Sequence, residues 1–141
     1  MASGGAHHDR LTARLGDMDA VRAVLAHATD RLDAGWTQGR WRSIDGVCLV
    51  AALRLSGRSS VASRAVDVTW HALHSDPSGA RWLPAPEMRL ARVRELTRWN
   101  DAPARTLPEV LGLLGRADEV AAYEMGRLRA DLGTSVDPVL R

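Results

Sequence analysis

Trp99-Asn100-Asp101-Ala102-Pro103-Ala104-Arg105-Thr106, continued by Leu107-Pro108-Glu109-Val110-Leu111, is the stretch that decides the fold. A helical pattern of apolar residues ends at Trp99. Asn100 and Asp101 bring side chains that satisfy nearby backbone groups in a turn, and Pro103 cannot continue a helix. Thr106 and Glu109 then stand at the T-x-x-E spacing of a capping box, the signature of a new helix N-terminus. The stretch predicts two helices joined by a defined elbow, and it specifies no reaction.

Upstream of the elbow, Pro86 and Glu87 start a helix that turns Leu90, Val93 and Leu96 inward and Arg89, Arg92, Arg94 and Arg98 mostly outward. Downstream, Val110, Leu114, Ala117 and Ala121 form a buried stripe. Met125, Leu128 and Leu132 extend it to Gly133, either as one long helix or with a break near Ala122. Toward the amino terminus, Met18, Val21, Leu25, Ala28 and Leu32 mark a first helix, with Asp17 or Asp19 as its cap and Gly35 as its stop. Residues 36–48 read as a short hairpin: Trp36 to Arg42 alternates loosely, Asp45-Gly46 is a type I′ turn pair, and Val47-Cys48 begins the return strand. Leu49 to Leu55 is an apolar helix ending at Gly57. Ser59 or Ser60 caps another, with the stripe Val61, Ala65, Val68 and Ala72 and a stop at Asp76-Pro77-Ser78-Gly79 before a loop through Trp82-Leu83-Pro84. The expected architecture is a mainly α single domain of about five helices with a small two-stranded hairpin. The domain spans residues 11–133, between a disordered tail at 1–10 and a loose tail at 134–141.

With 141 residues, 45% of them hydrophobic and 26% charged, the chain is long enough for a real core without staples. All 19 basic residues are Arg. A GC-rich genome produces that bias; selection for bidentate anion recognition, which Arg performs better than Lys, is the sharper reading. The net charge is only +2 and few groups discharge it between neutral pH and the pI of 9.4, so the pI carries no nucleic-acid signature. Charge is unevenly spread: residues 81–105 carry six Arg against three acids, and residues 106–137 carry six acids against three Arg. A single cysteine excludes an intramolecular disulfide and a cysteine-rich zinc site. No apolar run approaches the ~18 residues of a membrane span. The first ten residues lack an apolar segment of secretory type, so a cytoplasmic location is expected.

Three runs in order resemble a family of small actinobacterial and actinophage domains of unknown function. They are Gly35-Trp36-Thr37-Gln38-Gly39, then Asp45-Gly46-Val47-Cys48-Leu49-Val50-Ala51-Ala52-Leu53, then Trp99-Asn100-Asp101-Ala102-Pro103 with Arg105-Thr106, Glu109-Val110 and Leu113-Leu114. The resemblance covers residues 20–120. The chain departs from it in Ala51 and Ala104, where the family usually has Gly, and in a carboxy-terminal extension. It implies a fold and a host, and no chemistry.

Four constellations carry candidate chemistry. Cys48 stands at the start of the Leu49–Leu55 helix, where the helix dipole favours a thiolate. As a nucleophile it needs a base, from His27, His71 or His74, and an orienting group, from Asn100 or Asp101; as a small buried apolar residue it needs neither. Asp67, His71 and His74 share one helix face at metal-ligand spacing, opposite the apolar stripe and therefore on a face expected to be solvated. Trp36, Gln38, Trp41, Trp99, Asn100, Asp101 and Arg105 are expected to converge on a polar-aromatic surface, since Trp and Arg are enriched where partners dock. The bland alternative has the Trp side chains in the core, Asn100 and Asp101 closing the turn, and Arg105 paired with Asp101. The basic stretches suit phosphate, but the Pro-containing elbow is too long for a helix-turn-helix and the helix after it is acidic.

The function expected from these residues is a non-catalytic binding or accessory module for a protein or small molecule, working through Trp36, Gln38, Trp99, Asn100, Asp101 and Arg105, with no cofactor. The alternatives are a cysteine-dependent enzyme of acyl transfer or hydrolysis built on Cys48 with His71 and Asp101, and an Arg-mediated nucleic-acid binder.

Overall fold

The computed structural model describes residues 2–74 and 85–134. Five helices form it: α1 (Ala2–Ala34), α2 (Leu49–Leu55), α3 (Ser59–His74), α4 (Arg89–Asp101, entered through a 3-10 turn at Pro86–Met88) and α5 (Leu107–Thr134). The expected stop at residues 76–79, the loop through 82–84 and the tail beyond 134 lie outside the described residues.

The long pair α1 and α5 makes the largest interface, and α3 packs across both. Arg14 bonds Glu124 at 2.8 Å and Arg22 grips Asp118 with two bonds of 2.8 and 3.1 Å, so the two helices run antiparallel. Met18, Val21, Leu25, Ala28 and Leu32 of α1 are buried. They meet Val110, Leu114, Ala117, Ala121, Met125 and Leu128 of α5 and Val61, Ala65, Val68 and Ala72 of α3 in one core. The periodic stripes predict these faces correctly because helical spacing of 3.6 residues leaves only one way to bury them. Among the described residues no helix is long and apolar enough to cross a membrane.

Several boundaries differ from expectation. Helix α1 begins at Ala2, so the stretch expected as a disordered tail is helical from there on, with residues 5–10 exposed. Leu11 is buried and anchors the helix, and each residue added ahead of an existing helix needs only its own hydrogen bond. Asp17 and Asp19 consequently lie inside α1 and cap nothing. Helix α5 continues without a break past Ala122. Helix α3 starts at Ser59 itself, and Arg58 O accepts its first bond from Ala62 N.

The hairpin is smaller than its sequence implies. Strands β1 (Arg42–Ser43) and β2 (Gly46–Val47) pair antiparallel in the register Arg42 with Val47 and Ser43 with Gly46, and Ile44-Asp45 form the tip. The expected type I′ turn at Asp45-Gly46 is absent, since among the described residues only Gly39 has positive φ, at 74°. Gly46 serves a different need. A Cβ there would stand 2.2 Å from the Gly35 carbonyl oxygen, and a Cβ on Gly35 would stand 2.3 Å from the Asp45 oxygen. The two glycines let the end of α1 lie directly on β2, where Val47 N donates to Gly35 O and Thr37 N to Val47 O, both at 3.0 Å.

In α4 the expected face holds at Val93, which packs on the core, at Leu96 and at the exposed Arg94 and Arg98, but not at Leu90, Arg89 and Arg92. Leu96 is buried, but Leu90 is 62% exposed and Arg92 is only 9% exposed. The cause is a buried carboxylate on α3, Asp67, which draws Arg89 and Arg92 inward.

Candidate functional site

The elbow between α4 and α5 is where the predicted binding residues meet. Asn100, fully buried, sits at its centre and uses all of its amide. Its Oδ1 accepts from Trp36 Nε1 at 2.7 Å and from Leu49 N at 3.2 Å. Its Nδ2 donates to Thr37 O at 3.2 Å and to Asp101 Oδ1 at 2.9 Å. Gln38 Nε2 adds bonds to Asn100 O and Ala102 O, and Gly39 N donates to Asp101 Oδ1. The hairpin entry and the start of α2 are thereby fastened to the end of α4, and a buried amide that meets every partner in this way is worth far more than one left open.

Arg105 closes the other side of the elbow. Its guanidinium lies 3.9 Å above the Trp99 ring, its Nε donates to Trp99 O at 2.9 Å, and its Nη1 bonds Glu109 at 3.1 Å. It pairs with Glu109 and not with Asp101, whose Oδ1 is already taken by Gly39 and Asn100. The capping box forms as the T-x-x-E spacing predicts. Glu109 Oε1 accepts from Thr106 N at 2.9 Å and from its hydroxyl at 3.0 Å, while Glu109 N donates to Thr106 Oγ1 at 3.4 Å. The Thr106 bonds, and then the Arg105 charge, hold the Glu109 carboxyl below its usual range.

Of the six expected binding residues, the polar groups of Trp36, Gln38, Asn100 and Arg105 are therefore engaged within the protein, and Trp36 and Trp99 pack partly buried against the core. Asp101 is the member that also faces a cavity. This cavity, of about 170 Å³, opens between the hairpin and α4 and is lined by Gly39, Arg40, Trp41, Cys48, Val50, Val93, Thr97 and Asp101. Trp41 is 46% exposed at its mouth, with the Arg54 guanidinium 5.8 Å from its ring. Sequence reasoning missed Arg40, Val50, Val93 and Thr97, which reach the cavity from the segment before β1, from α2 and from α4 and carry no local signal.

Cys48 lies on the floor of that cavity as the N-cap of α2, its Sγ accepting from Ala51 N at 3.5 Å. It is 5% exposed. Burial pushes its thiol above the ordinary value, and the bonds from the Ala51 and Val50 amides, which pull downward as the helix start predicts, do not outweigh it. Among the described residues no histidine lines the cavity.

The three residues weighed as metal ligands belong to a different arrangement, the seam between α3 and α4. Asp67 is fully buried, which corrects the solvated face expected for it. Arg89 Nη2 donates to its Oδ2 at 2.6 Å, and Arg92 Nη1 lies 3.2 Å from its Oδ1. Arg92 also stacks on Trp70 at 4.2 Å. His74 pairs with Glu95 and packs on Trp70 at a ring distance of 4.8 Å. Burial, and secondarily the Arg92 charge, holds the His71 imidazole below the ordinary histidine range. Among the described residues no three His, Cys, Asp or Glu side chains stand close enough to hold a metal ion. Two guanidiniums at Asp67 make the seam hostile to a cation.

A wider, shallower groove of about 650 Å³ runs between α1 and α5, lined by Leu25, Thr29, Leu111 and Leu114 and bridged by the Arg22–Asp118 pair.

The model of a family of unknown function (DUF6197) matches residues 17–120, a span that includes the hairpin, the start of α2 and the elbow, and the chain belongs to that family. No curated protein and no solved structure matches the chain.

Proposed function

We propose that this member of the family is a non-catalytic binding module whose ligand-facing surface is the Trp41–Asp101 cavity, with the Trp-Asn-Asp elbow as the frame that holds it open. The observation that carries this reading is the cavity itself. It pairs an exposed Trp with an apolar floor of Cys48, Val50 and Val93, and it sets Arg40 and Asp101 at the rim. A small apolar body with a few placed polar groups around it is the usual make-up of a ligand site. Asp101 Oδ2 and the Arg40 guanidinium have no hydrogen-bond partner among the described residues and remain for a ligand. The cavity suits a side-chain-sized group with an apolar body and a polar end, presented by a small molecule or by a partner protein.

The enzyme alternative weighs less, because Cys48 is held as a thiol and has no histidine beside it in the cavity. The nucleic-acid alternative weighs less as well, because α4 turns Arg92 inward and ties Arg89 to Asp67.

Cys48 makes the cavity testable without a known ligand. A set of fragments, each with a short aliphatic or aromatic body and an amine, amide or carboxylate end, is screened for slowing the reaction of Cys48 with a small thiol reagent. The expected result is protection by a subset of fragments. Trp41→Ala should abolish that protection while leaving stability within about 0.5 kcal/mol, as for an exposed side chain. The reading fails if no fragment changes the labelling rate, or if protection persists in Trp41→Ala.

A further inference from the structure

Among the described residues, the α3–α4 seam sets two guanidiniums against one fully buried carboxylate. Arg89 and Arg92 share the carboxylate of Asp67; beside them Trp70 offers Arg92 its ring face, and Glu95 bonds His74. The donors tell the same story atom by atom. Arg89 Nε, Arg92 Nε and His71 Nε2 are buried with no hydrogen-bond partner among the described residues, while Arg92 Nη1 and Asp67 Oδ1 form an ion pair of 3.2 Å without hydrogen-bond geometry. Arg92 as a whole is 9% exposed. Buried N–H groups without acceptors are rare in folded proteins.

Position brings these groups together. Asp67 and His71 are one turn apart on α3 and so share a face, and Arg89 and Arg92 share a face of α4 at a spacing of three. The two faces meet at the Asp67 ion pairs. What the seam lacks is an anion with several acceptor oxygens, able to take more than one N–H from a planar guanidinium fork. Oxyanions of phosphate type meet that need, and Arg forks match them in bidentate geometry.

We propose that the α3–α4 seam is an oxyanion site, in which Arg89 and Arg92 hold a phosphate group, free or as a phosphomonoester, and His71 Nε2 makes the further hydrogen bond. Asp67 then acts as the positioning residue that fixes both guanidiniums. The site is separate from the Trp41–Asp101 cavity and does not depend on what that cavity binds.

Inorganic phosphate is the probe. Thermal unfolding of the full chain is followed against phosphate concentration at constant ionic strength, with chloride and acetate as controls, and heats of binding are measured on the same samples. The expected result is a saturable rise in melting temperature and a measurable heat with phosphate, neither of them with chloride. Arg92→Met should weaken binding by about tenfold or more, the order of one lost charge-assisted pair. Repeating the titration with phosphoserine and a nucleoside monophosphate separates free phosphate from a phosphomonoester, since the true ligand class binds more tightly. Should Arg92→Met not fold, Arg89→Gln replaces it, and the calorimetry on the unaltered chain stands alone. Phosphate that stabilises no more than acetate, or that binds the Arg92 variant as well as the unaltered chain, overturns the assignment.

Discussion

His71 shows how one side chain links burial to pH. Its imidazole is kept neutral in the folded chain by burial and by Arg92, while in the unfolded chain it titrates at its ordinary value of 6.5. Its folded value is the lower of the two, so over the interval between them the unfolded state binds the proton and the folded state does not. Stability is then fully present above 6.5 and is lost as the pH falls below it, until the folded imidazole also protonates. In a buffer free of phosphate, melting temperature should fall more steeply for the unaltered chain than for His71→Gln between about pH 7 and about pH 5.5. Parallel profiles would show that His71 does not sense burial. Little of this environment is legible in the sequence. The i, i+4, i+7 spacing of Asp67, His71 and His74 correctly places them on one face, but which face packs against α4 depends on partners over twenty residues away. Cys48 is the mirror case. Its place at a helix start is readable from the preceding turn, whereas the burial that reverses its acidity belongs to the hairpin and α4 together.

At the scale of elements, local chemistry reads well and long-range demands read poorly. The cap of α5 needs only four consecutive residues, and the structure forms it as the spacing implies. Thr106→Ala should cost about 1 kcal/mol, seen as a lower urea midpoint with an unchanged slope. An unchanged midpoint would mean that the box contributes nothing beyond what Arg105 and Glu109 provide through their own bond. The hairpin turn reads poorly for a physical reason. Asp-Gly suggests positive φ, but Gly46 is needed for the absence of a side chain, so that the Gly35 backbone can lie against it. The face of α4 reads only in part: the stripe implied by the apolar residues at 90, 93 and 96 holds at Val93 and Leu96, and a buried carboxylate on another helix outweighs the exposure of Leu90.

In the molecule as a whole, periodicity is enough to give five helices and one core, because α1, α3 and α5 each bury a single clear stripe. The candidate site was legible in part: the Trp36–Gly39 and Trp99–Thr106 runs do meet, as their shared pairing of Trp with polar residues implies. That their polar groups are spent on each other is not legible, since it depends on Asn100 joining residues 51 to 64 positions away. This one amide holds the hairpin and the start of α2 against the α4–α5 elbow, and the proposed binding cavity exists only while they stay in place. The direct measurement is the equilibrium urea denaturation of Asn100→Ala. The substitution strands Trp36 Nε1, Leu49 N and Thr37 O in the interior, so the predicted loss is about 3 kcal/mol or more. A loss within about 0.5 kcal/mol, the range of an exposed turn residue, would contradict the central role of Asn100.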